Sequence, residues 1–366
     1  MKTLLKVLGG LIVLVLLGAG GTFTWAKSTT ADKLAQSYEA HTIDFPMPWP
    51  LSEAELAAIV KERAAEKAKA EAPAPAGDGA GEAPAEGGAP AEGEGAAEPA
   101  ADPLEGIDLA AIAMERAVAR GKHLVEARYA CIECHGEDFS GGVMVDDPAM
   151  GKILGPNITT GKGGKTEGYT PADWDRIVRH GIKRDGKPAV MPSEDFQLMS
   201  DQELSDIIAY LQTAPAVDNE VPAVSLGPVG TMLMATGGLP LSADIVEDHD
   251  GAHPKLPPNS EPTAEFGKHL AGICTGCHRK TLEGGPIPVG PPDWPPAMNL
   301  TPHADGLEGW SFDDFKKAMT EGVRPDGTEL KVPMTLVLPY AQKMKDVEMK
   351  ALWEYISKLP PKPTGI

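Results

Sequence analysis

Apolar positions along this 366-residue chain change their pattern four times. At the N-terminus they are continuous: Val7 to Ala26 is uncharged and rich in Leu, Val and Gly, behind only Lys2 and Lys6. A run of that length can cross a bilayer as one helix. Basic residues on the short leading side predict a single pass with the remainder outside the cytoplasm. The competing reading is a cleaved export signal, but Thr24-Trp25-Ala26 is a poor cleavage site, so a retained anchor over residues 1–27 is preferred. Residues 28–70 follow as an extended arm, because three prolines fall within His41–Pro50, and then a helix. Ser52 and Glu55 form its capping box. From Glu71 to Pro103 no large apolar residue occurs, and the Ala/Pro/Glu/Gly composition predicts a disordered linker over 71–104.

Beyond the linker, helical spacing takes over. Leu109, Ile112, Ala113, Ala117 and Leu124 recur on one face; Thr170-Pro171 opens a helix carrying Trp174, Ile177 and Val178. Ser200 and Glu203 cap another with Leu204, Ile207, Ile208 and Leu211 inward. Long glycine-rich loops separate these segments and few strands are expected, so the fold class is all-α.

A shift of 143 residues brings two segments into register. Cys131-Ile-Glu-Cys134-His135 meets Cys274-Thr-Gly-Cys277-His278, and Gly121-Lys-His-Leu124 recurs as Gly267-Lys-His-Leu270. Pro156-Asn157-Ile-Thr159 corresponds to Met298-Asn299-Leu-Thr301, and Asp185-Gly186 to Asp326-Gly327. This predicts tandem domains over 105–216 and 261–366, joined by a connection at 217–260.

Both repeats thus carry Cys-x-x-Cys-His, the attachment pattern of c-type haem. Two thiols at that spacing reach the vinyl groups of one porphyrin, and the adjacent imidazole ligates its iron. Cys131, Cys134, Cys274 and Cys277 would hold two covalently attached haem c groups, with His135 and His278 on the irons. A structural zinc cage or disulfides would also use the cysteines, but leave both histidines unexplained.

The repeat nominates the second axial ligands as well. Met191 and Met334 each lie 56 residues beyond their histidine, after the Asp-Gly turn and beside a proline. Met144, Met150 and Met298 are reserves. His180 and His303 have no matching histidine in the other repeat and read as loop or surface residues. His123 and His269 do match, but on a leading helix whose face can simply be solvated. Asn157 and Asn299 would hydrogen-bond loop backbone or a haem propionate. Arg176 and Arg179 could pair with a propionate or stay on the surface.

Of the net charge of −20, most lies outside the two repeats: 71–104 carry eight acids and no base, and 217–260 six acids against one base. No basic nucleic-acid footprint exists. The segment 217–260 contains apolar Met232-Leu-Met234, a docking surface or interdomain packing.

These features resemble the membrane-anchored class I di-haem cytochromes c of bacteria and the cytochrome subunits of quinoprotein alcohol dehydrogenases. The resemblance rests on both Cys-x-x-Cys-His segments, Gly155-Pro-Asn-Ile-Thr159, Arg179-His-Gly181, Asp185-Gly186, Met191-Pro192 and the Asp201–Leu211 helix, and covers about 105–366. The second half departs at Ala297-Met298, where a Gly-Pro-like pair is expected. The resemblance implies His/Met ligation at both irons and one-electron transfer, without enzymatic catalysis, on the periplasmic side of the cytoplasmic membrane. The partners would be a protein donor and acceptor in or near that membrane. The alternatives are a di-haem peroxidase, which needs one open iron site, and a subunit fixed in a larger dehydrogenase or oxidase complex.

Overall fold

The computed structural model describes residues 2–71, 102–287 and 294–366. Most of the expected linker, 72–101, lies outside the described residues, as do the side chains of residues 2–16, 70 and 71. Two compact units result: Met1–Trp49 with Arg116–Ile366, and Pro50–Glu115.

In the smaller unit, helix α2 (Glu53–Glu71) starts at Ser52 with the expected capping box: the Glu55 backbone N–H donates to Ser52 Oγ, while the Ser52 N–H donates back to Glu55 Oε2 at 2.8 Å. Arg63 donates to the carbonyls of Pro103 and Glu105 at 3.0 and 2.6 Å, tying the chain after the linker to α2.

The larger unit opens with α1 (Lys2–Ala35), two turns longer than the expected anchor. Among the described residues no helix is long and apolar enough to cross a membrane; the anchor's residues 7–16 fall where side chains are not described. After α1 the chain is extended, as its prolines require, and Phe45 enters the main apolar core. Backbone bonds strap this arm down: Tyr38 N–H to Gly186 O and His41 N–H to His249 O, both 2.9 Å.

One set of elements then occurs twice. Helix α3 (Leu109–His123) runs through a π-helical turn (Leu124–Arg128) into α4 (Cys131–His135), followed by α5 (Pro171–His180) and α6 (Asp201–Leu211). In the second set α9 (Ala264–Leu270) leads to α10 (Thr275–His278), α11 (Phe312–Glu321) and α13 (Asp346–Ile356). Capping boxes at Thr170, Ser200 and Ser311 start three of these helices. In each set the leading helix crosses the last at a glycine. A Cβ on Gly121 would lie 1.9 Å from Asp206 O, and one on Gly267 1.9 Å from Ala351 O, so no larger residue permits that approach.

The all-α expectation needs a correction. After α4, strands β1 (Gly142–Asp147) and β2 (Gly151–Gly155) form an antiparallel hairpin, and β3 (Ser225–Leu226) extends it. Val143, Val145 and Ile153 favour strand geometry, and the Asp147 side chain closes the turn by accepting from Ala149 and Met150 N–H. The second set has the bridge Gly285–Ala297 at the corresponding place, with 288–293 outside the described residues. The segment 217–260 contains helices α7 (Pro228–Thr236) and α8 (Ser242–Ile245). Met234 is fully buried with Ile153, Leu239 and Leu241, and α7 packs on α1, where Thr30 Oγ donates to Thr231 O at 3.0 Å. Helix α12 (Met334–Ala341) belongs to the second set, where the first has only the 3-10 turn Ser193–Phe196.

Candidate haem-attachment sites

Each Cys-x-x-Cys-His segment folds as about one helical turn, so thiols three residues apart share a face. All four cysteines are free thiols, partly buried. Burial pushes Cys131 and Cys274 up to about 12 and raises Cys134 and Cys277 as well, so the sulfurs stay protonated. Among the described residues the four thiols form neither a disulfide nor a four-thiolate cage.

Both motif histidines are held so that one ring nitrogen stays bare. His135 Nδ1 lies 2.9 Å from Pro156 O, and His278 Nδ1 lies 2.7 Å from Met298 O. A carbonyl only accepts, so Nδ1 carries the proton and Nε2 keeps its lone pair for a metal. Desolvation lowers both imidazole pKa values, which holds the rings neutral. The residues present fit a covalently held haem at each site.

The loop carbonyls that accept from the histidines are themselves anchored. Asn157 Oδ1 accepts from Thr159 N–H and Oγ at 2.9 and 2.8 Å, while its Nδ2 donates to Val217 O at 2.8 Å. Asn299 accepts from Thr301 N–H and Oγ, both at 2.8 Å, and donates to Lys362 O at 2.7 Å. Of the two roles expected for these asparagines, the described contacts serve loop backbone, stitching the histidine-orienting loop to the chain beyond the last helix.

Met191 is half-buried in the apolar cluster that also holds Tyr129, Cys131 and Ile132. Met334 is half-buried at the first position of α12, outside the cluster around Cys274, which includes Met298 instead. The first pairing is thus brought together in one core, and the second is not.

The elements after the two methionines cross over. Asp195, beyond Met191, abuts the second motif: a Cβ on Gly276 would be 2.6 Å from Asp195 Oδ2. Burial, then the neighbouring Glu194, push its carboxyl up to about 7. Tyr340, beyond Met334, donates its hydroxyl to Glu133 inside the first motif. Both motifs therefore border one interface.

Buried ion pairs with approximate two-fold exchange lock that interface. His269 Nε2 is 2.9 Å from Glu203 Oε1 on α6, and His123 Nε2 is 2.9 Å from Glu348 Oε2 on α13. Arg128 bridges both acids, 2.9 Å to Glu203 and 2.7 Å to Glu348. The expectation that the faces of His123 and His269 are solvated is therefore corrected: each is spent on a carboxylate of the other half. Glu203 was legible only as a capping residue and Glu348 was not singled out, although their matched places in the repeat were a usable signal.

His180 also needs correction, being fully buried, whereas His303 remains a surface residue beside Asp305 at 3.4 Å. Arg179 is buried too and grips Asp175 and Asp201 at 2.6 and 2.9 Å, so the surface alternative fails for it; Arg176 pairs with Asp173 at 2.8 Å.

Residues 116–211 match the family described as cytochrome C oxidase, cbb3-type, subunit III. The chain is 29% identical over 267 residues to the alcohol dehydrogenase (quinone) cytochrome c subunit of Gluconacetobacter polyoxogenes, covering 64% of this chain and 54% of that protein. It is 27% identical over 294 residues to the gluconate 2-dehydrogenase cytochrome c subunit of Pantoea cypripedii, covering 69% and 63%. A diheme cytochrome c-type protein of Cereibacter sphaeroides is 26% identical over 259 residues, covering 63% and 82%. The chain spans about half the length of the alcohol dehydrogenase subunits it matches. The resemblance to cytochrome c subunits expected from the motifs is borne out.

Proposed function

We propose that this chain is a membrane-tethered di-haem cytochrome c that carries single electrons between protein partners on the periplasmic side of the cytoplasmic membrane. The observation that carries it is the twice-built pair of thiols and imidazole, each ring tied through Nδ1 to a loop carbonyl. Haem, when bound, supplies the reversible one-electron step of its iron. The chain's own residues do the remainder. Cysteine thiols would attach the group, the carbonyls of Pro156 and Met298 orient the histidines that would ligate its iron, and Met191 and Met334 would offer their thioethers as the further ligands. Two motifs bordering one interface favour transfer between the sites within the chain. The relatives named as dehydrogenase cytochrome subunits support an electron-transfer role rather than catalysis, and a fixed place beside a dehydrogenase is the reading of its partner they favour.

The test is the optical spectrum of the purified ferric protein, then of the ferrous form under carbon monoxide. A methionine-to-iron charge-transfer band at two-haem intensity, without carbon monoxide uptake, is expected. Uptake at one haem would refute symmetric His/Met ligation and favour peroxidase chemistry, with Met334 the residue at fault.

A further inference from the structure

Four of the nine histidines converge away from both attachment motifs. His180 stands at the end of α5 with no exposed side-chain surface, one helical turn beyond Asp175, also fully buried. His41 comes from the arm, and His249 and His253 from the loop before α9. One ligand atom each from His41, Asp175, His180 and His253 lie within 4.8 Å of one another.

Their hydrogen bonds settle where the lone pairs point. His249 Nε2 lies 3.1 Å from Ala243 O and must donate there, so its Nδ1 accepts; the proton in the 3.0 Å contact between His180 Nδ1 and His249 Nδ1 therefore belongs to His180. His253 Nδ1 is likewise 3.3 Å from Gln197 O and carries its proton there. Both Nε2 atoms are left with bare lone pairs, and they face each other at 3.2 Å. Two lone pairs at that distance repel unless a cation sits between them.

Asp175 and His41 stand beside this pair; His41 Nε2 donates to the carboxylate at 3.0 Å, a proton that a bound cation would displace. Asp175 Oδ2 is 3.6 Å from His180 Nε2 and 3.0 Å from His41 Nε2, while its Oδ1, held by Arg179 Nε at 2.7 Å, is 3.8 Å from His253 Nε2. Ligand atoms about 2.0–2.1 Å from a tetrahedral zinc stand roughly 3.3–3.5 Å apart. The separations that join the two Nε2 atoms or share Asp175 Oδ2, 3.0–3.6 Å, bracket that value, and one ligand atom from each of the four residues lies within 4.8 Å of the rest.

We propose that His41, His180, His253 and Asp175 bind one divalent transition-metal ion, zinc foremost, which pins the N-terminal arm to α5 and to the loop before α9. Three imidazoles and one carboxylate in a closed tetrahedral set suit zinc in a structural role. The second layer is already in place: the Gln197 carbonyl and His249 fix two tautomers, and Arg179 orients the carboxylate. Arg179 is balanced by Asp201 at 2.9 Å, so the site can accept the ion's charge. The arm supplies one ligand, so binding stabilises its docking.

The experiment is elemental analysis and zinc-edge X-ray absorption on the full-length holoprotein after dialysis. About one zinc per chain is expected, with a nitrogen/oxygen shell near ~2.0 Å and imidazole scattering. The double variant His180→Gln/His253→Gln should drop zinc roughly tenfold or more, and His41→Gln, which leaves the core untouched, should weaken zinc retention against a chelator about tenfold. Chelation should also open the arm between residues 36 and 44 to protease. The proposal is overturned if the parent protein neither carries nor takes up zinc or copper. It is equally overturned if zinc persists in both variants while their melting curves match the parent, because the ion then lies elsewhere.

Discussion

Replacing Arg128 by methionine tests whether buried charge holds the two Cys-x-x-Cys-His-bearing halves together. Glu203 and Glu348 are 2% and 1% exposed, and Arg128 is the cation that touches both. Methionine keeps the aliphatic packing but leaves two carboxylates out of water with a histidine each and only their neutral capping bonds from Ser200 and Lys345. Breaking a buried pair from one side costs about 3–5 kcal/mol. For a unit of this size each kcal/mol lowers the melting midpoint by about 2–4 °C, so a fall of roughly 6–20 °C is expected at pH 7. The assay is a thermal melt followed by near-ultraviolet circular dichroism. Lys316→Ala provides the contrast: its pair with Asp346 is exposed, with side chains 45% and 53% accessible. Such a pair contributes less than about 1 kcal/mol. Adding Glu203→Gln and Glu348→Gln to the Arg128 variant should restore part of the loss, since the stranded charges disappear. A midpoint within about 3 °C of the parent for Arg128→Met alone would refute the reasoning.

The same carboxylates set an acid limit: burial pushes Glu348 up, but the hydrogen bond from His123 and the charge of Arg128 outweigh it and hold the group at about 2, with Glu203 lowered likewise. A depressed folded pKa stabilises fully above the unfolded value near ~4.3 and is lost as pH falls toward 2, about 3 kcal/mol for Glu348, visible as midpoints that drop below pH 4. Asn299→Ala removes buried bonds to Thr301 and Lys362 and should cost about 1–3 kcal/mol in denaturant unfolding. Gly267→Ala drives a methyl group into Ala351 O and should sharply lower the yield of holoprotein, whereas Gly309→Ala, with nothing near its Cβ, tests mere glycine loss at positive φ. Met191→Ala should halve the methionine charge-transfer band and admit carbon monoxide to one haem; an unchanged spectrum would remove Met191 from the ligand set.

Local chemistry was legible where it is written in neighbouring residues. The two Cys-x-x-Cys-His turns, the capping boxes at Ser52 and Ser200, the Thr170-Pro171 helix start and the proline-extended arm all depend on contacts within a few positions, and the structure builds each of them. The internal repeat also foretold the paired asparagines, though not which groups they hold. The hairpin at 142–155 was hidden because its glycines read as loop while its β-branched residues alternate too briefly. Only the tertiary structure decided the fate of the polar residues that pair over long separations. His123 finds Glu348, His269 finds Glu203, and His41 finds Asp175 and His180 because folded helices place them face to face. No periodicity records such encounters: a histidine's neighbours in space, not in sequence, decide whether it is solvated, buried in an ion pair or aimed at a metal.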